Sequence, residues 1–398
     1  MSGPVIRFAP VGASDRLHLR RRTLCLGAAS SALLACKPRP SVIPEDIGEK
    51  VVPETIAVLL PIKAGQNTAL HAQLEKHVFE HPVGEVHYLR MLPIDDTTLL
   101  LSAVFDADLN ALLNLMAENA TRLDPVLSLT EGYPAGGAAD TAAMRSFLKL
   151  HESPTLMLYS AFDRASEPAV REATPLRLEF LEFVKAIQRE PAAAGASYAA
   201  FHHDNHVRID THSEGAADEL SAAALSAPDR QNPFTMVFDI HEDWVKRLDK
   251  TLEDGEWFLD HLNIHPLRQI PTVHYARFAK VTRTKILFES VYDGEWAQYI
   301  SDFAVHIPKK LDLVWGGAVG YPAGGAADAP ALAQFLEDRR LPRDYFYMSY
   351  SNQTVKEIQK SLALGKKLIR FTREAPSGGE RLVRHVERFI HRNQSLLA

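Results

Sequence analysis

The chain has 398 residues, a formal net charge of -6, 46% hydrophobic residues and 24% charged residues. This length and composition are typical of a folded protein of about two domains. The acidic balance argues against general nucleic-acid binding, which needs a basic surface. No apolar run reaches the roughly 18 residues that a membrane-spanning helix needs. Both cysteines, Cys25 and Cys36, lie near the N-terminus, so we expect a body without disulfides.

The first 35 residues have the pattern of an export signal. Three arginines at 20–22 precede a short apolar segment, residues 24–35, which is typical of a signal that is removed. The paired arginines followed by Thr-Leu resemble the twin-arginine export signal. The alternatives are an ordinary signal peptide, in which the cysteine at position 36 is incidental, and a buried N-terminal helix. Removing residues 1–35 takes away five arginines and one aspartate and changes the formal charge from -6 to -10.

The segment Leu-Leu-Ala-Cys at 33–36 resembles the lipobox of bacterial lipoproteins, in which the cysteine thiol receives the lipid. We therefore expect lipidation at Cys36 and attachment to a membrane of the bacterial cell envelope. Lys37 follows the cysteine where an aspartate would favour the inner membrane, so lipoprotein sorting by resemblance favours the periplasm-facing outer membrane. Four prolines within residues 36–54 predict an extended tether.

The rest of the chain contains an internal repeat. The nonapeptide Gly-Tyr-Pro-Ala-Gly-Gly-Ala-Ala-Asp occurs at 132–140 and again, unchanged, at 320–328. Three further pairs of similar segments keep the same order at an offset close to 188. They are 86–91 with 273–278, 105–106 with 292–293, and 156–162 with 346–350. Agreement in order and spacing indicates a duplicated unit.

Hydrophobic periodicity predicts six elements in each half, in the order β-α-β-β-α-β. In the first half they are 55–62, 67–79, 86–94, 97–106, 109–123 and 156–162. In the second half they are 234–240, 242–262, 272–281, 285–293, 296–307 and 345–350. This is the ferredoxin-like order, in which helices cover only one face of an antiparallel sheet. Two copies can cover each other, which predicts an α+β fold of two tandem ferredoxin-like (βαββαβ) repeats that form a pseudo-dimeric α/β barrel.

The predicted organisation has six segments. They are an export signal peptide (1–35), a proline-rich tether (36–54), repeat 1 (55–190), an alanine- and histidine-containing linker (191–232), repeat 2 (233–372) and a C-terminal basic helix (373–398). The two repeats resemble the dimeric α/β-barrel superfamily, which includes stress-responsive barrel proteins, small monooxygenases, chlorite dismutases and dye-decolorising peroxidases. Segments 274–278 and 287–296 carry the resemblance, which is greatest to an uncharacterised branch. It implies a fold and leaves the function open.

Two features outside the strands are candidate binding sites, each with a plainer alternative. The glycines of the nonapeptide could form a backbone nest for an anion; alternatively they shape a loop, and Asp140 or Asp328 caps the next helix. A histidine cluster could bind zinc or copper; alternatively it is a polar surface loop. The cluster consists of His202, His203, His206 and His212.

The C-terminal helix is amphipathic. Its apolar stripe consists of Leu382, Val386, Phe389 and Ile390, and its basic residues are Arg381, Arg384, Arg388 and Arg392. Such a helix could contact anionic lipid headgroups. The alternative is that it docks on its own domain and leaves the basic face in solvent.

Repeated polar residues on the strands are the candidate catalytic site. His87 and Arg90 recur as His274 and Arg277 on the second strand of each half, and the next strand ends at Asp106 or Asp293. Because side chains alternate along a strand, we expect His and Arg to face opposite sides, with Asp near the histidine. The second half is preferred, with His274 as ligand or proton-transfer residue and Arg277 and Asp293 orienting it. The alternative is a structural role for these residues.

Two functions are compatible with the sequence. The first is an envelope lipoprotein that binds a small ligand or a partner protein, with no nucleic acid. The second is a haem-dependent, peroxidase-like oxidoreductase, which only the resemblance to the superfamily suggests. The Gly-x-x-Asp-Gly motif of dye-decolorising peroxidases is not present, since Tyr292-Asp293-Gly294 lacks the leading glycine. The sequence also lacks the HExxH, GxSxG, CxxC and Walker motifs.

Overall fold

A computed structural model of the chain describes residues 53–76, 85–106, 108–162, 165–211, 230–262, 266–342 and 345–397, with side chains omitted at 210–211 and 255–262. The predicted export signal, Cys36 and most of the tether lie outside these residues, and so does His212.

Eight strands form two antiparallel sheets. The strands are β1 (Glu54–Pro61), β2 (Val86–Asp95), β3 (Thr98–Phe105), β4 (Thr155–Ser160), β5 (Gln231–Asp239), β6 (Val273–Lys280), β7 (Lys285–Asp293) and β8 (Tyr345–Met348). Their orders are β1-β3-β2-β8 and β4-β6-β7-β5. The predicted α+β class and the antiparallel sheets are confirmed.

Helices follow or separate the strands, and they include several that the periodicity does not predict. They are α1 (Asn67–Leu74), α2 (Leu109–Glu118), α3 (Ala120–Leu127), α4 (Thr141–Leu150), α5 (Glu167–Arg189), α6 (Ala194–Thr211), α7 (Val245–Leu262), α8 (Trp296–His306), α9 (Pro308–Trp315), α10 (Ala329–Glu337), α11 (Val355–Glu374), α12 (Gly379–Arg392) and α13 (Gln394–Leu397). The helix predicted at 109–123 is divided at Asn119, whose side chain bonds back to the carbonyl of Leu115. Among the helices described, none is long and apolar enough to cross a membrane.

The closing strands of the two halves are exchanged. β4, from the first half, pairs with β6 of the second half, and β8 pairs with β2 of the first. A ferredoxin-like repeat would keep its closing strand beside its own first strand. Only the residues just before β4 do so, where Ser153 N donates to the carbonyl of Ala57 at 2.7 Å. The exchange satisfies backbone groups on the edges of β2 and β6, and an apolar strand pattern does not reveal its partner.

A small apolar cluster forms part of the packing between the two sheets. Ala57, Leu92 and Leu100 of one sheet meet Ala279 and Leu287 of the other. The outer face of each sheet is covered by helices of its own half, which form the two largest buried clusters. The interior between the sheets is therefore lined by alternate residues of both halves.

A helical layer continues from the closing strands. Helices α5 and α11 pack with α6, α12 and α13 around buried residues such as Phe180 and Phe371. Within the linker predicted at 191–232, residues 194–211 form helix α6, which packs in this layer. Alanine is the strongest helix former, and Phe201 and Ile209 give α6 a buried face. The weak apolar periodicity of this alanine-rich stretch does not predict a helix.

Candidate functional site

The two candidate histidines lie in β-bulges. In β2, Val86 and Tyr88 pair with consecutive residues of β3, so His87 between them is one extra residue. His274 occupies the same position in β6. A bulge interrupts the alternation of side chains and re-aims the extra residue. The orientation predicted by counting along a regular strand is therefore not a guide at these two positions.

Each histidine is paired with an aspartate at the end of the neighbouring strand. His87 Nε2 lies 3.0 Å from Asp106 Oδ1, and His274 Nε2 lies 2.7 Å from Asp293 Oδ1. Both imidazoles are fully buried. When Nε2–H donates to the carboxylate, a neutral imidazole presents Nδ1 as a hydrogen-bond acceptor. The expected proximity of histidine and aspartate is thus present in both halves.

Each aspartate is itself held by a helix. The second carboxylate oxygen of Asp106 accepts a hydrogen bond from the backbone N–H of Glu167, the first residue of α5. Asp293 does the same at 2.8 Å with Val355, the first residue of α11. A carboxylate at a helix N-terminus interacts favourably with the helix dipole and with unpaired N–H groups. The long helices thereby fix the orientation of both His–Asp pairs.

The two pairs differ at Nδ1 of the histidine. His87 Nδ1 lies 2.7 Å from the hydroxyl of Tyr350 and 3.1 Å from that of Tyr275, and these hydroxyls are 3.3 Å apart. His274 Nδ1 is buried without a hydrogen-bond partner in the described structure. Phe162 occupies the position that corresponds to Tyr350, with its ring centroid 5.6 Å from that of His274. The duplication therefore contains one hydroxyl-capped histidine and one histidine without a cap.

Both tyrosines at His87 are hydrogen-bond donors at neutral pH. Burial raises the pKa of Tyr350 well above its ordinary value, and burial raises that of Tyr275 as well. Both phenols are fully buried and stay protonated. Nδ1 of His87 can accept from one of the two hydroxyls, and the other hydroxyl lies 3.3 Å from the first and can donate to it.

A second polar cluster adjoins only the His87 pair. The carboxylate of Glu167 is buried, accepts a hydrogen bond from Ser349 and lies 3.1 Å from Nη1 of Arg171. Burial raises the pKa of Glu167, although the charge of Arg171 opposes that shift. At an offset of 188 the corresponding residues are Val355, Ala161 and Gln359. The second half therefore has no counterpart of this carboxylate.

The two predicted arginines lie elsewhere, in the interior between the sheets. Arg90 Nη1 is 3.3 Å from Glu289 Oε1, and Arg277 Nη2 donates to Glu289 Oε2. Ser102, the counterpart of Glu289 in the first half, donates to Oε1 at 2.9 Å. Burial acts to raise the pKa of Glu289, but the charges of Arg277 and Arg90 outweigh it and hold the pKa below its ordinary value. Arg277 thus binds this shared carboxylate, and no described hydrogen bond joins it to His274.

A small cavity lies between the sheets. Its volume is about 30 Å³, and Tyr88, Arg90, Tyr275, Glu289 and Phe346 are among its lining residues. A space of this size accommodates one or two water molecules. Pockets for cofactors measure about 300–1,000 Å³. A cavity of about 30 Å³ is too small for the haem that the peroxidase resemblance implies.

The nonapeptide loops are structural. Asp140 Oδ1 caps α4 and Asp328 Oδ1 caps α10, as the plainer alternative predicts. In the first loop the backbone N–H of Ala138 and the hydroxyl of Tyr133 bind Oδ1 of Asp124 at 2.9 and 2.6 Å. The second loop binds Asp312 in the same way. The carboxylate of the protein itself therefore occupies the place that an anion would take.

The three described histidines of the cluster lie on helix α6 rather than in a loop. The rings of His202 and His206 are 6.3 Å apart, and His206 Nδ1 lies 2.8 Å from the carbonyl of His203. Within the residues that the structure describes, no group of three or more His, Cys, Asp or Glu side chains is placed to hold a metal ion. His212 lies outside those residues, and the three described histidines alone do not form a metal site.

Sequence reasoning missed Tyr350, Tyr275, Glu167 and Glu289. A signal for the first was available in the repeat itself, because Tyr350 stands opposite Phe162 when the halves are aligned. The same alignment sets Glu167 against Val355 and Glu289 against Ser102. Polar residues that only one half contains were more informative than those that recur in both.

Comparisons with known proteins found little. No protein-family model and no curated protein matches the chain. One similar solved structure is a candidate monooxygenase of Fusobacterium nucleatum, with a TM-score of 0.29 and 9% identity over 67% of this chain and 88% of that one. Another is an anthrone oxidase-like protein, with a TM-score of 0.24 and 11% identity over 78% of this chain and 98% of that one. Similarity at this level carries no argument about function.

Proposed function

We propose that the protein is a lipid-anchored protein of the bacterial cell envelope whose body binds a small ligand beside Tyr275 and exchanges a proton with it through His87. The observation that carries this proposal is the continuous sequence of contacts from Tyr350 to His87 to Asp106. A hydroxyl, an imidazole and a carboxylate in this order are the arrangement by which proteins move a proton.

The chemistry of the three residues is complementary. A ligand hydroxyl that approaches Tyr275 or Tyr350 can pass its proton along the hydroxyl hydrogen bonds to Nδ1 of His87. Asp106 then stabilises the imidazolium through Nε2 and is fixed by its bond to the start of α5. No metal and no cofactor are needed for that transfer. A ligand larger than a few atoms must displace lining side chains of the cavity, because its volume is about 30 Å³.

Comparison of the two halves favours function over scaffold at His87. The surroundings of His274 contain Phe162 and Val355 where those of His87 contain Tyr350 and Glu167. Burying a hydroxyl or a carboxylate has a desolvation cost that an apolar residue avoids. The same architecture therefore forms without these polar groups. Their presence on one side supports the His87 pair as the site and reverses the preference for His274.

We also propose that the two sheets close into one pseudo-dimeric barrel of eight strands. Two short links support closure. Val58 pairs with Glu152 just before β4, and Met236 pairs with Arg340 shortly before β8. Each closing strand would then bridge the first strand of its own half and the second strand of the other half. Membership of the tandem-repeat branch of the dimeric α/β-barrel superfamily follows from the same proposal.

Attachment through Cys36, after removal of residues 1–35, is proposed from the lipobox-like sequence and the proline-rich tether alone. Location at the periplasm-facing outer membrane is proposed from Lys37.

A titration with 4-nitrophenol tests proton exchange at the site. The probe carries one acidic hydroxyl, and its phenolate absorbs at longer wavelength than the phenol. We expect saturable binding and a larger phenolate fraction in the bound probe than in free probe at the same pH. Binding without a change in ionisation, or no saturable binding, would contradict the proposal.

A further inference from the structure

Helix α12 presents a straight row of arginines. All four are exposed, and they are Arg381, Arg384, Arg388 and Arg392. With about 100° of rotation per residue they fall within an arc of about 80°, and they extend over about 16 Å of helix. The buried residues Leu382 and Val386 lie on the other side of the helix. The row therefore faces away from the rest of the body.

The arginines are not needed to dock the helix. Other residues of α12 make the contacts: the rings of Phe371 and Phe389 are 4.8 Å apart, and His385 stacks on Phe371 at 4.8 Å. Arg384 has an exposed partner in Glu380 at 3.0 Å, which is a weak pairing in solvent. Helix α12 therefore docks on its own domain, as the alternative in the sequence analysis predicts, and its basic face is accessible.

Charge is unevenly distributed along the chain. Residues 355–398 contain ten lysines and arginines and four glutamates, in a protein whose formal charge is -6. The remainder of the chain is therefore strongly acidic. An acidic protein with one basic helical face is suited to an anionic surface that only this face approaches.

We propose that the arginine row of α12 binds the anionic phospholipid headgroups of a membrane surface. Guanidinium groups bind phosphate oxygens through paired hydrogen bonds, and a row of them on one helix can lie along a surface of headgroups. The choice of a membrane rests on the proposed lipid anchor, which would hold the body beside one. A basic surface that adds to a lipid chain makes attachment more stable than the chain alone.

Vesicle binding by the unacylated protein tests this face independently of the anchor. The protein is the mature chain with Cys36→Ser, so a failure of lipidation cannot change the result. Vesicles of phosphatidylcholine with phosphatidylglycerol are compared with pure phosphatidylcholine in a sedimentation assay. We expect binding to the anionic vesicles only, with a loss of about tenfold or more when salt is raised well above physiological strength.

Two matched variants assign the binding to α12. Replacing the four arginines by glutamine should lower partition to anionic vesicles at least about tenfold. The control removes the same charge from four exposed lysines elsewhere and should change partition less than about threefold. These lysines are Lys149, Lys246, Lys309 and Lys310. Circular dichroism checks that both variants fold.

Three outcomes would overturn the proposal. Equal losses in the two variants would show that net charge alone governs binding. Absence of wild-type binding to anionic vesicles would remove the membrane as partner. Binding to a DNA duplex that the arginine variant loses, with no vesicle binding, would assign the face to nucleic acid instead.

Discussion

The hydroxyl of Tyr350 lies 2.7 Å from Nδ1 of His87. This contact joins the residues just after the closing strand of the second half to the second strand of the first half. It exists because the closing strand β8 pairs with β2. If each half kept its own closing strand, Phe162 would take the place beside His87 and Tyr350 the place beside His274. The exchange of strands thus determines which histidine receives the hydroxyl.

Exchanging the two aromatic residues tests the difference between the histidines. Phe162→Tyr should raise the free energy of unfolding by up to about 1 kcal/mol, because it offers the unpartnered Nδ1 of His274 a donor. Tyr350→Phe should lower it by about 1 kcal/mol, since Tyr275 still bonds to His87. Urea unfolding measures both. A Phe162→Tyr protein less stable than wild type would mean that Nδ1 does not face the ring of residue 162.

Removing the shared carboxylate should be far more damaging than removing its serine partner. Glu289→Gln leaves Arg90 and Arg277 buried without their common counter-charge, which costs about 3–5 kcal/mol. Ser102→Ala removes one hydrogen bond to the same carboxylate and should cost about 1 kcal/mol. Urea unfolding at neutral pH compares them. Similar losses in the two variants would contradict an electrostatic role for Glu289.

The stability difference between wild type and Glu289→Gln should depend on pH in a definite direction. The pKa of Glu289 is lower in the folded protein than its ordinary value of 4.5. Its contribution to stability is therefore complete above the unfolded pKa and is lost as the pH falls through the lower folded pKa. The stability difference between wild type and Glu289→Gln should shrink on acidification below about pH 4.5. A difference that grows in this range would show that the pKa of Glu289 is raised instead.

Each half should depend on the other for folding. Residues 50–229 lack the strand that completes the first sheet, and residues 230–398 lack β4 of the second. Expressed alone, each should be insoluble or self-associated, because a strand edge and the inner sheet face are exposed. Expressed together, the two should co-purify as a complex in size-exclusion chromatography. Two independent monomers, each with a cooperative melting transition, would be incompatible with exchanged strands.

The lipid anchor is tested separately from the body. Wild type should incorporate a labelled fatty acid and sediment with the membrane fraction. Cys36→Ser should incorporate none and should be less firmly attached, because the only thiol at the lipobox-like site is lost. Cys25→Ser is the matched control and should behave as wild type. A wild-type protein that takes up no label would refute lipidation at Cys36.

Much of the fold was predictable because the duplication presents each element twice, once in each half of the chain. Matching segments at a constant offset indicated the repeated elements, and the positions of His87 and Asp106 indicated a pair that the structure places 3.0 Å apart. The helical part of the predicted linker was missed because alanines suit a helix without producing a clear apolar stripe. For most of the strands, the predicted and observed boundaries differ by a few residues.

The arrangement around the site was not predictable from pattern alone. A bulge at His87 depends on the pairing of two strands, which periodicity does not report. The partner of a closing strand depends on the whole assembly, since the same apolar pattern fits either sheet. The sequence predicts that Arg277 orients His274, but one carboxylate, Glu289, binds both Arg277 and Arg90 in the interior. The contact between Arg90 and Glu289 joins residues that are 199 positions apart in the sequence.

Ionisation of bound 4-nitrophenol in two matched variants tests the central claim, that the His87 pair is the functional one of two duplicated pairs. His87→Gln retains hydrogen bonding at the site but removes the proton acceptor, and His274→Gln makes the same change in the other half. We predict that the bound probe loses its additional phenolate in His87→Gln, with affinity for the phenolate falling about tenfold or more, while His274→Gln behaves as wild type. Equal effects of the two substitutions, or a loss confined to His274→Gln, would contradict the account.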